Sequence, residues 1–413
     1  MARLHQLMNW LVANREWLFS GVLVALPVAV IGWLWAKRKS QSSKKQLGGD
    51  SSVNVGKNLK IQGGAAMTDQ AQKAGDNSTN IRTDSLTIHQ GITLTEARQM
   101  ALDVFRANFF ELAGEAKDIA RERAEEITGD FLKKLQEQQA DSLKQSQEPD
   151  FQHALFTVQK EYARCGDKDL GNLLVDLLVD RAKQESRSIL QIVLNESLVV
   201  APKLTQDQLA ALSLIFLFRY TVQQGIENRQ GFWEYLDHYV APFSDLISPK
   251  AACYQHLEYS GCGKAELVSV NLAEVFRKHY GGLFSKGFDT AQFETKQLSL
   301  PASHIIFTDC LNDRNRRQVS CINEASLRSV CERLEISEDD IGKLVALHNE
   351  ALMSNEEIQE YIIQTRGYMR HVFEVWKVSN MNRFTLTSVG IAIGHANIKK
   401  SLGEFTNLSI WIN

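Results

Sequence analysis

Proline is scarce in this chain, with 6 among 413 residues. Because proline interrupts helices, a chain with so little of it is expected to be mainly helical. Excess charge of one sign is also lacking, since 46 basic residues face 49 acidic ones and the net charge is −3. Proteins dedicated to nucleic acids usually carry a marked positive charge, so the composition disfavours that class while leaving room for a local basic patch.

Recognisable metal and catalytic motifs are lacking too. No two cysteines have the CxxC spacing typical of zinc sites, so we expect buried, reduced thiols and no bound metal. The chain has no GxSxG elbow, Walker A loop or dinucleotide fingerprint, and we therefore expect no cofactor. The cysteines and histidines weighed for catalysis or metal binding, and set aside, are Cys165, Cys253, Cys262, Cys310, Cys321, Cys331, His238, His256, His279, His304, His348, His371 and His395.

One long hydrophobic run is present. Residues 17–35, WLFSGVLVALPVAVIGWLW, carry no charge, and a helix of this length spans about 28 Å, close to the hydrocarbon thickness of a bilayer. Basic residues are more numerous after the run than before it, so residues 1–36 are predicted to form an interfacial segment and a single-pass membrane anchor. The N-terminus would lie outside and the C-terminal body in the cytoplasm. A cleaved signal peptide is disfavoured because the charged flank lies on the wrong side.

Small residues line one face of the predicted anchor helix. Gly21, Ala25 and Ala29 follow one another at four-residue intervals, a spacing that lets helices pack closely in lipid. We expect lateral self-association through this face, and hence a homo-oligomer. The alternative is that these residues reflect only the abundance of glycine and alanine in membrane helices.

A short internal repeat follows a polar linker at residues 37–52. The segments SVNVGKNLKIQGG and STNIRTDSLTIHQG align, and their apolar residues alternate as in β-strands. Residues 53–92 are therefore predicted to form a short β-repeat. Two such units bury too little surface to be stable alone, so we expect an oligomeric collar between copies of the chain. A linker with chance similarity is the alternative.

A long amphipathic helix is predicted at residues 93–149. Thr93 and Glu96 form a capping box at its start, and Pro149 ends it. Apolar residues recur at helical spacing, and the other faces are densely charged. A helix of this length is rarely stable alone, so we expect it to pack either along the body or as a coiled coil with copies of itself.

Residues 150–413 are predicted to form a mainly helical cytoplasmic body with a small β element. Capping boxes begin helices at Thr205, Ser337 and Ser354. The apolar segment 209–218, LAALSLIFLF, is too short to span a membrane, which indicates a buried core helix. The predicted helices are 151–164, 167–185, 187–199, 206–225, 229–240, 324–334, 338–353 and 355–377.

The end of the body is predicted to be mixed in structure. Residues 303–310 and 318–323 are expected to pair as a hairpin. A strand at 383–387, a helix at 388–400 and a strand at 407–412 follow. Gly390 and Gly394 match no phosphate-binding loop, so they are predicted to permit close helix packing.

Three arginines in the hairpin turn, Arg314, Arg316 and Arg317, are candidates for nucleic-acid contact because guanidinium groups bind phosphates. The segment LTSVGIAIGHANIKK would then close a winged-helix-like module. A solvated hairpin tip is the plainer interpretation, and the acidic overall balance favours it.

Three segments carry a family resemblance: GDNSTNI with LTIHQGITLTEARQMALDVFRANFFEL, DIARERAEEITGDFLKKL, and LTSVGIAIGHANIKKSLGEFTNLSIWI. Across residues 75–135 and 384–412 the chain resembles an uncharacterised bacterial family with locus-tag style names, the LPO/Vpar type. Such proteins often lie near phage-defence genes, so the resemblance implies a defence or stress role. It implies no activity and carries over no catalytic residue.

The predicted fold class is therefore mainly α (α+β), with an N-terminal transmembrane helix, a short β-repeat, a long amphipathic helix and a helical body. We expect a membrane-tethered assembly protein that acts as a sensor or effector, without a reaction of its own. Its expected partners are the membrane, other copies of the chain and a protein from a neighbouring gene. A membrane-mounted nucleic-acid-binding protein and an enzyme with an unrecognised site are the alternatives.

Overall fold

The structure is a computed structural model that describes residues 92–108, 114–403 and 405–412. Most of these residues lie in helices. These residues belong to one unit, Gly91–Asn413, and they confirm the mainly helical fold. The α-helices are α1 (Leu94–Asn108), α2 (Glu115–Gln139), α3 (Pro149–Cys165), α4 (Lys168–Ala182), α5 (Ile189–Val200), α6 (Gln206–Tyr220), α7 (Arg229–Tyr235), α8 (Ala241–Ser244), α9 (Ala251–Tyr259), α10 (Leu272–Tyr280), α11 (Thr290–Thr295), α12 (Glu324–Arg333), α13 (Glu338–Glu350), α14 (Asn355–Thr365), α15 (Met369–Val378) and α16 (Ser388–Leu402).

Two short antiparallel strand pairs accompany the helices. In the first, β1 (Gly263–Ala265) pairs with β4 (Phe384–Leu386), and Lys264 lies opposite Thr385. In the second, β2 (Phe307–Asp309) pairs with β3 (Arg317–Val319). The second pair confirms the predicted hairpin, and β4 confirms the predicted strand at 383–387.

Helix α16 lies at the centre of the fold, where it packs against α4, α5 and α6. Its residues 390–399 are all buried. Thr387 fixes its start, because the Thr387 N–H donates to the Cys262 carbonyl (3.0 Å) and the Thr387 hydroxyl accepts from the Gly390 N–H (3.2 Å). A Cβ at position 390 would lie 1.9 Å from the Cys262 carbonyl oxygen. Only glycine allows this approach.

A second glycine brings α16 against α6. A Cβ at position 394 would lie 2.9 Å from the Leu212 carbonyl oxygen. One turn further along α16, the Asn397 amide donates to the Ser213 hydroxyl (2.9 Å), which satisfies two buried polar groups across the interface. The structure therefore confirms that Gly394 permits close helix packing and that residues 209–218 form a buried helix, whereas Gly390 permits close approach to the backbone of Cys262, which lies outside any helix.

A smaller apolar cluster lies beside the main core. It is built from the β2–β3 hairpin, α12 and α13, with Phe307, Val319, Leu327 and Leu344 buried together. The start of α13 is capped by Ser337, whose hydroxyl accepts from the Asp340 N–H (3.2 Å). The predicted capping boxes at Thr93, Thr205 and Ser354 are present. At Ser337 the box is not formed, because the Asp340 carboxylate accepts from the Ser337 hydroxyl.

The long helix predicted at 93–149 is not continuous. Helix α1 ends at Asn108, α2 runs from Glu115 to Gln139, and a 3₁₀ stretch, Ala140–Gln147, follows. Gly114 adopts φ +61°, a left-handed conformation that an α-helix cannot contain. Helices α1, α2 and α3 pack against one another. The described parts of this segment therefore lie along the body, which was one of the two predicted arrangements.

Other boundaries differ from the prediction. The strand expected at 407–412 is a 3₁₀ turn at Leu408–Ile410, because the side chain of Asn407 accepts from the Ser409 N–H and Trp411 donates to the Tyr220 carbonyl (2.8 Å). The helix predicted at 355–377 is divided into α14 and α15 around Gly367. Helices α9, α10 and α11 were not predicted.

None of the helices in the described part of the chain is both long enough and apolar enough to cross a bilayer. The predicted anchor (1–36), including Gly21, Ala25 and Ala29, the linker (37–52) and the β-repeat (53–92), except Ile92, lie outside the described residues.

The close approach at position 390 leads to a stability prediction. We expect Gly390→Ala to lower the free energy of unfolding by about 2 kcal/mol or more, because the added methyl group meets backbone that cannot move aside. The control is Gly342→Ala in α13, where a Cβ meets nothing within 4 Å and alanine should raise stability by up to about 1 kcal/mol. Urea unfolding of the full chain measures both, and equal effects would show that α16 does not approach Cys262 closely.

Candidate functional site

A polar pocket of about 580 Å³ opens beside α16. Helices α4 and α16 supply charged side chains to it, and α5 supplies an apolar side. The residues that follow α16 form a further wall. The lining residues are Gln138, Asp180, Lys183, Gln184, Leu190, Leu194, His395, Lys399, Gly403, Phe405, Thr406, Asn407, Leu408 and Ser409.

The titratable residues at and beside this pocket come in helical pairs. Asp176 and Asp180 are four residues apart on α4, and His395 and Lys399 are four residues apart on α16, so each pair shares one helix face. Since α4 packs against α16, the two faces meet. Lys134 approaches from α2, which also packs against α4.

The lysines and aspartates form a connected network, here called the ion cluster (Lys134, Asp176, Asp180, Lys183 and Lys399). The amino group of Lys399 lies 2.9 Å from Asp180 Oδ1 and 3.8 Å from Asp176 Oδ1. Lys183 donates to the same Asp180 oxygen at 2.9 Å, and Lys134 Nζ lies 2.7 Å from Asp176 Oδ1. Each carboxylate therefore faces two ammonium groups.

Burial makes these pairings necessary. Asp176 has no exposed surface, and Lys399 is 8 % exposed. Burial raises the pKa of the Asp180 carboxyl, but the ammonium groups of Lys399 and Lys183 outweigh that effect and hold its pKa below the ordinary value. Asp180 is therefore ionised at neutral pH.

Asp176 is held by charge rather than by hydrogen bonds. Lys134 lies within ion-pair distance, yet among the described residues neither carboxylate oxygen of Asp176 accepts a hydrogen bond of good geometry. A buried carboxylate in that condition is costly, and removing one of its lysines would leave an uncompensated charge in the core.

His395 has one ring nitrogen paired and one unpaired. Its Nε2 lies 2.5 Å from the carbonyl oxygen of Thr406, which can only accept, so Nε2 carries the proton. Burial lowers the pKa of the imidazole by more than this bond raises it, so the ring is neutral at neutral pH. Nδ1 is then an acceptor, and it has no hydrogen-bond partner among the described residues.

This arrangement suits binding better than proton transfer. A general acid or base works best when its pKa lies near the operating pH. The pKa values of Asp180 and His395 are both lowered, which moves each of them further from neutrality. What the pocket offers is fixed charge, an unpaired acceptor and several amide and hydroxyl groups.

A larger groove of about 770 Å³ lies between the segment Ser269–Glu274 and helices α14 and α15. Its charged residues, such as Glu356, Glu360 and Arg370, are exposed to solvent. Water solvates exposed charges well, so this groove gives less reason to expect a specific ligand than the ion cluster does.

The sequence prediction named only one residue of the pocket. His395 was among the scattered histidines, whereas Asp176, Asp180 and Lys399 were not singled out. The available signal was the presence of charge within otherwise apolar helices, as in LLVDLLVD and GIAIGHANIK. Charged residues at such positions are rarely buried without a partner.

The three arginines of the hairpin turn have different environments. Arg317 donates to the carbonyls of Ala302 (2.7 Å) and Phe307 (2.9 Å), so it braces the hairpin. Arg316 lies 3.7 Å from Asp313, and Arg314 is exposed. The buried position of α16 also leaves it no free face with which to enter a nucleic-acid groove.

The cysteines lie mostly inside the fold. Cys321 Sγ lies 3.5 Å from His348 Nδ1, but burial raises the pKa of the Cys321 thiol to about 12, which opposes thiolate formation. The described residues contain no group of three metal-binding side chains.

Histidine burial predicts sensitivity to acid. Burial lowers the pKa of His279 from 6.5 to about 4. Its neutral form therefore stabilises the fold fully above pH 6.5, and this contribution is lost as the pH falls towards 4. We expect the free energy of unfolding to drop by about 2 kcal/mol from this residue between pH 7 and pH 5. In urea titrations His279→Gln should reduce the drop and the exposed-residue control His153→Gln should not; a drop unchanged by His279→Gln would contradict the assignment.

The arginine contacts predict a contrast between neighbours. Arg317→Met should lower the free energy of unfolding by about 1–3 kcal/mol, because it removes two charge-assisted hydrogen bonds to backbone carbonyls. Arg314→Met, which removes the same charge from an exposed position, should change it by about 0.5 kcal/mol or less. Thermal unfolding of both variants measures this, and an equal loss in the two would refute a bracing role for Arg317.

Comparison with known proteins bears on identity but not on activity. No curated protein and no solved structure matches the chain. A family model does match, over residues 91–412, and its family carries a "-like" designation of locus-tag style and is uncharacterised. This agrees with the resemblance found in the sequence. Because the match covers well over half of the chain, the chain belongs to this uncharacterised "-like" family.

Proposed function

We propose that the chain is a membrane-tethered assembly protein whose cytoplasmic body binds a small ligand in the pocket beside α16. The observation that carries the proposal is that Asp180, Lys183 and Lys399 of the ion cluster line the pocket together with His395, whose Nδ1 has no hydrogen-bond partner among the described residues. These groups present charge and hydrogen-bonding capacity to the pocket, as binding sites do. The pKa values of Asp180 and His395 are lowered away from neutrality, which favours binding over proton transfer.

The position of the pocket connects binding to the rest of the body. Helix α16 lies in the main core, and the segment Phe405–Ser409 forms one wall of the pocket. A ligand held between α4 and this segment would stabilise the conformation that it contacts. Occupancy of the pocket would in this way act on the C-terminal segment, as a sensor requires.

The hydrophobic run at 17–35 supports tethering to an inner membrane, with the body in the cytoplasm. Tethering raises the local concentration of copies, so that weak lateral contacts become effective. The small-residue face of Gly21, Ala25 and Ala29 would supply such contacts, with the β-repeat as a collar. The role in defence or stress follows from the family resemblance, and the partner would be the product of a neighbouring gene.

Assembly is tested by mass. Light scattering of the detergent-solubilised full chain should give a discrete oligomer. Gly21→Leu combined with Ala25→Leu should lower the mass towards that of the monomer, because the larger side chains separate the packed helices. The control is Val30→Phe, which adds bulk on the other side of the predicted helix and should leave the mass unchanged.

A monomeric wild-type chain would contradict the proposal directly. So would a double variant that keeps the full mass, since assembly would then not involve the anchor.

A further inference from the structure

We propose that the ligand of the pocket beside α16 is a small organic anion, a carboxylate or a phosphate ester, that also carries hydroxyl or N–H groups. The proposal rests on the proposed function in one respect, namely that this pocket is the ligand site. It adds the chemical class of the ligand, and each part of that class follows from a different group of residues.

The negative charge follows from the balance of the ion cluster. Within the described residues, the ammonium groups of Lys134, Lys183 and Lys399 face the carboxylates of Asp176 and Asp180, which leaves one positive charge in excess. The excess positive charge attracts an anion, and the attraction is least weakened by water at Lys399, which is only 8 % exposed.

The anion would bind near Lys183 and Lys399. Both lysines line the pocket, and both amino groups lie 2.9 Å from the same oxygen of Asp180, so they are close neighbours. The Lys183 side chain is 30 % exposed and marks the accessible side of the cluster. Each ammonium group has three protons, so both retain protons for an incoming carboxylate or phosphate.

The hydroxyl or N–H group of the proposed ligand is inferred from His395. The residue is 2 % exposed and lines the pocket, and its Nδ1 is a lone-pair acceptor without a partner in the described structure. A buried acceptor left unpaired is unfavourable, and a ligand hydroxyl or N–H would satisfy it. Sulfate has no such proton, and inorganic phosphate has it only on the anionic group itself, so a ligand that carries hydroxyl or N–H groups apart from its anionic group fits both the lysines and His395 better.

The remaining lining fits a small polar molecule. Gln138, Gln184, Asn407 and Ser409 can form further hydrogen bonds, while Leu190, Leu194 and Phe405 offer an apolar side. The volume of about 580 Å³ lies within the usual range for small-molecule pockets. The lysines would repel a cation, and an apolar ligand would leave His395 Nδ1 without a hydrogen bond.

Calorimetric titration of the full chain with four probes tests the ligand class. Ribose 5-phosphate and malate combine an anion with hydroxyl groups, inorganic phosphate supplies mainly the anion, and ribose supplies the hydroxyl groups alone. At least one of the first two should bind about tenfold more tightly than phosphate, and ribose should not bind measurably. The preferred probe of the two then distinguishes a phosphate ester from a carboxylate.

Matched lysine variants locate the site. Lys183→Gln, at the accessible side of the cluster, should weaken binding of the preferred probe about tenfold. Lys168→Gln removes the same charge from a side chain that is 80 % exposed and pairs with Glu126 elsewhere, and it should leave affinity unchanged. Circular dichroism confirms that both variants are folded, and the ¹⁵N resonance of His395 Nδ1 should shift when the probe binds.

Two results would overturn the inference. One is the absence of binding by both hydroxylated anions at millimolar concentration, and the other is equal affinity in wild type and Lys183→Gln. With oligomer formation intact, the first result leaves the assembly function standing and rejects the ligand class, and the second leaves assembly standing and rejects this pocket as the anion site. Binding as described by a chain that proves monomeric would instead reject assembly and keep the ligand site.

Discussion

The close contact of α16 with its neighbours is the constraint on which the rest of the structure depends. Thr387 fixes the start of the helix on the backbone of Cys262, and glycines at 390 and 394 allow the helix to approach Cys262 and Leu212 without a clash. With that face packed against α6, the helix also contacts α4 and α5. His395 and Lys399 are thereby carried to the aspartates of α4.

The candidate site arises from this packing rather than from a catalytic motif. Helices α4 and α16 carry charged side chains that become buried where the helices pack together. The free energy cost of desolvating these charges is offset by their pairing in the ion cluster. His395, which lines the pocket beside the cluster, has an Nδ1 without a hydrogen bond among the described residues. Incomplete satisfaction at the edge of a pocket is the physical basis for proposing a ligand.

Much of the helical fold could be predicted because its signals are local. Each signal depends on a few adjacent residues, as in the capping boxes at Thr205 and Ser354 and the apolar run at 209–218. The break at Gly114 was missed because a single glycine within a periodic pattern does not reveal its φ. The candidate site was missed for a different reason: its residues are distant in sequence, and Asp180 meets Lys399 only after tertiary packing.

Native-state hydrogen exchange tests most directly whether α16 is the centre of the fold. Amides of α6 and α16 should exchange only through global unfolding and should be the slowest in the described part of the chain. Those of α12 and α13, in the smaller cluster, should exchange through a lower-energy opening. If α16 exchanges as fast as α12 and α13, the central role of this helix, and with it the basis of the site, is contradicted.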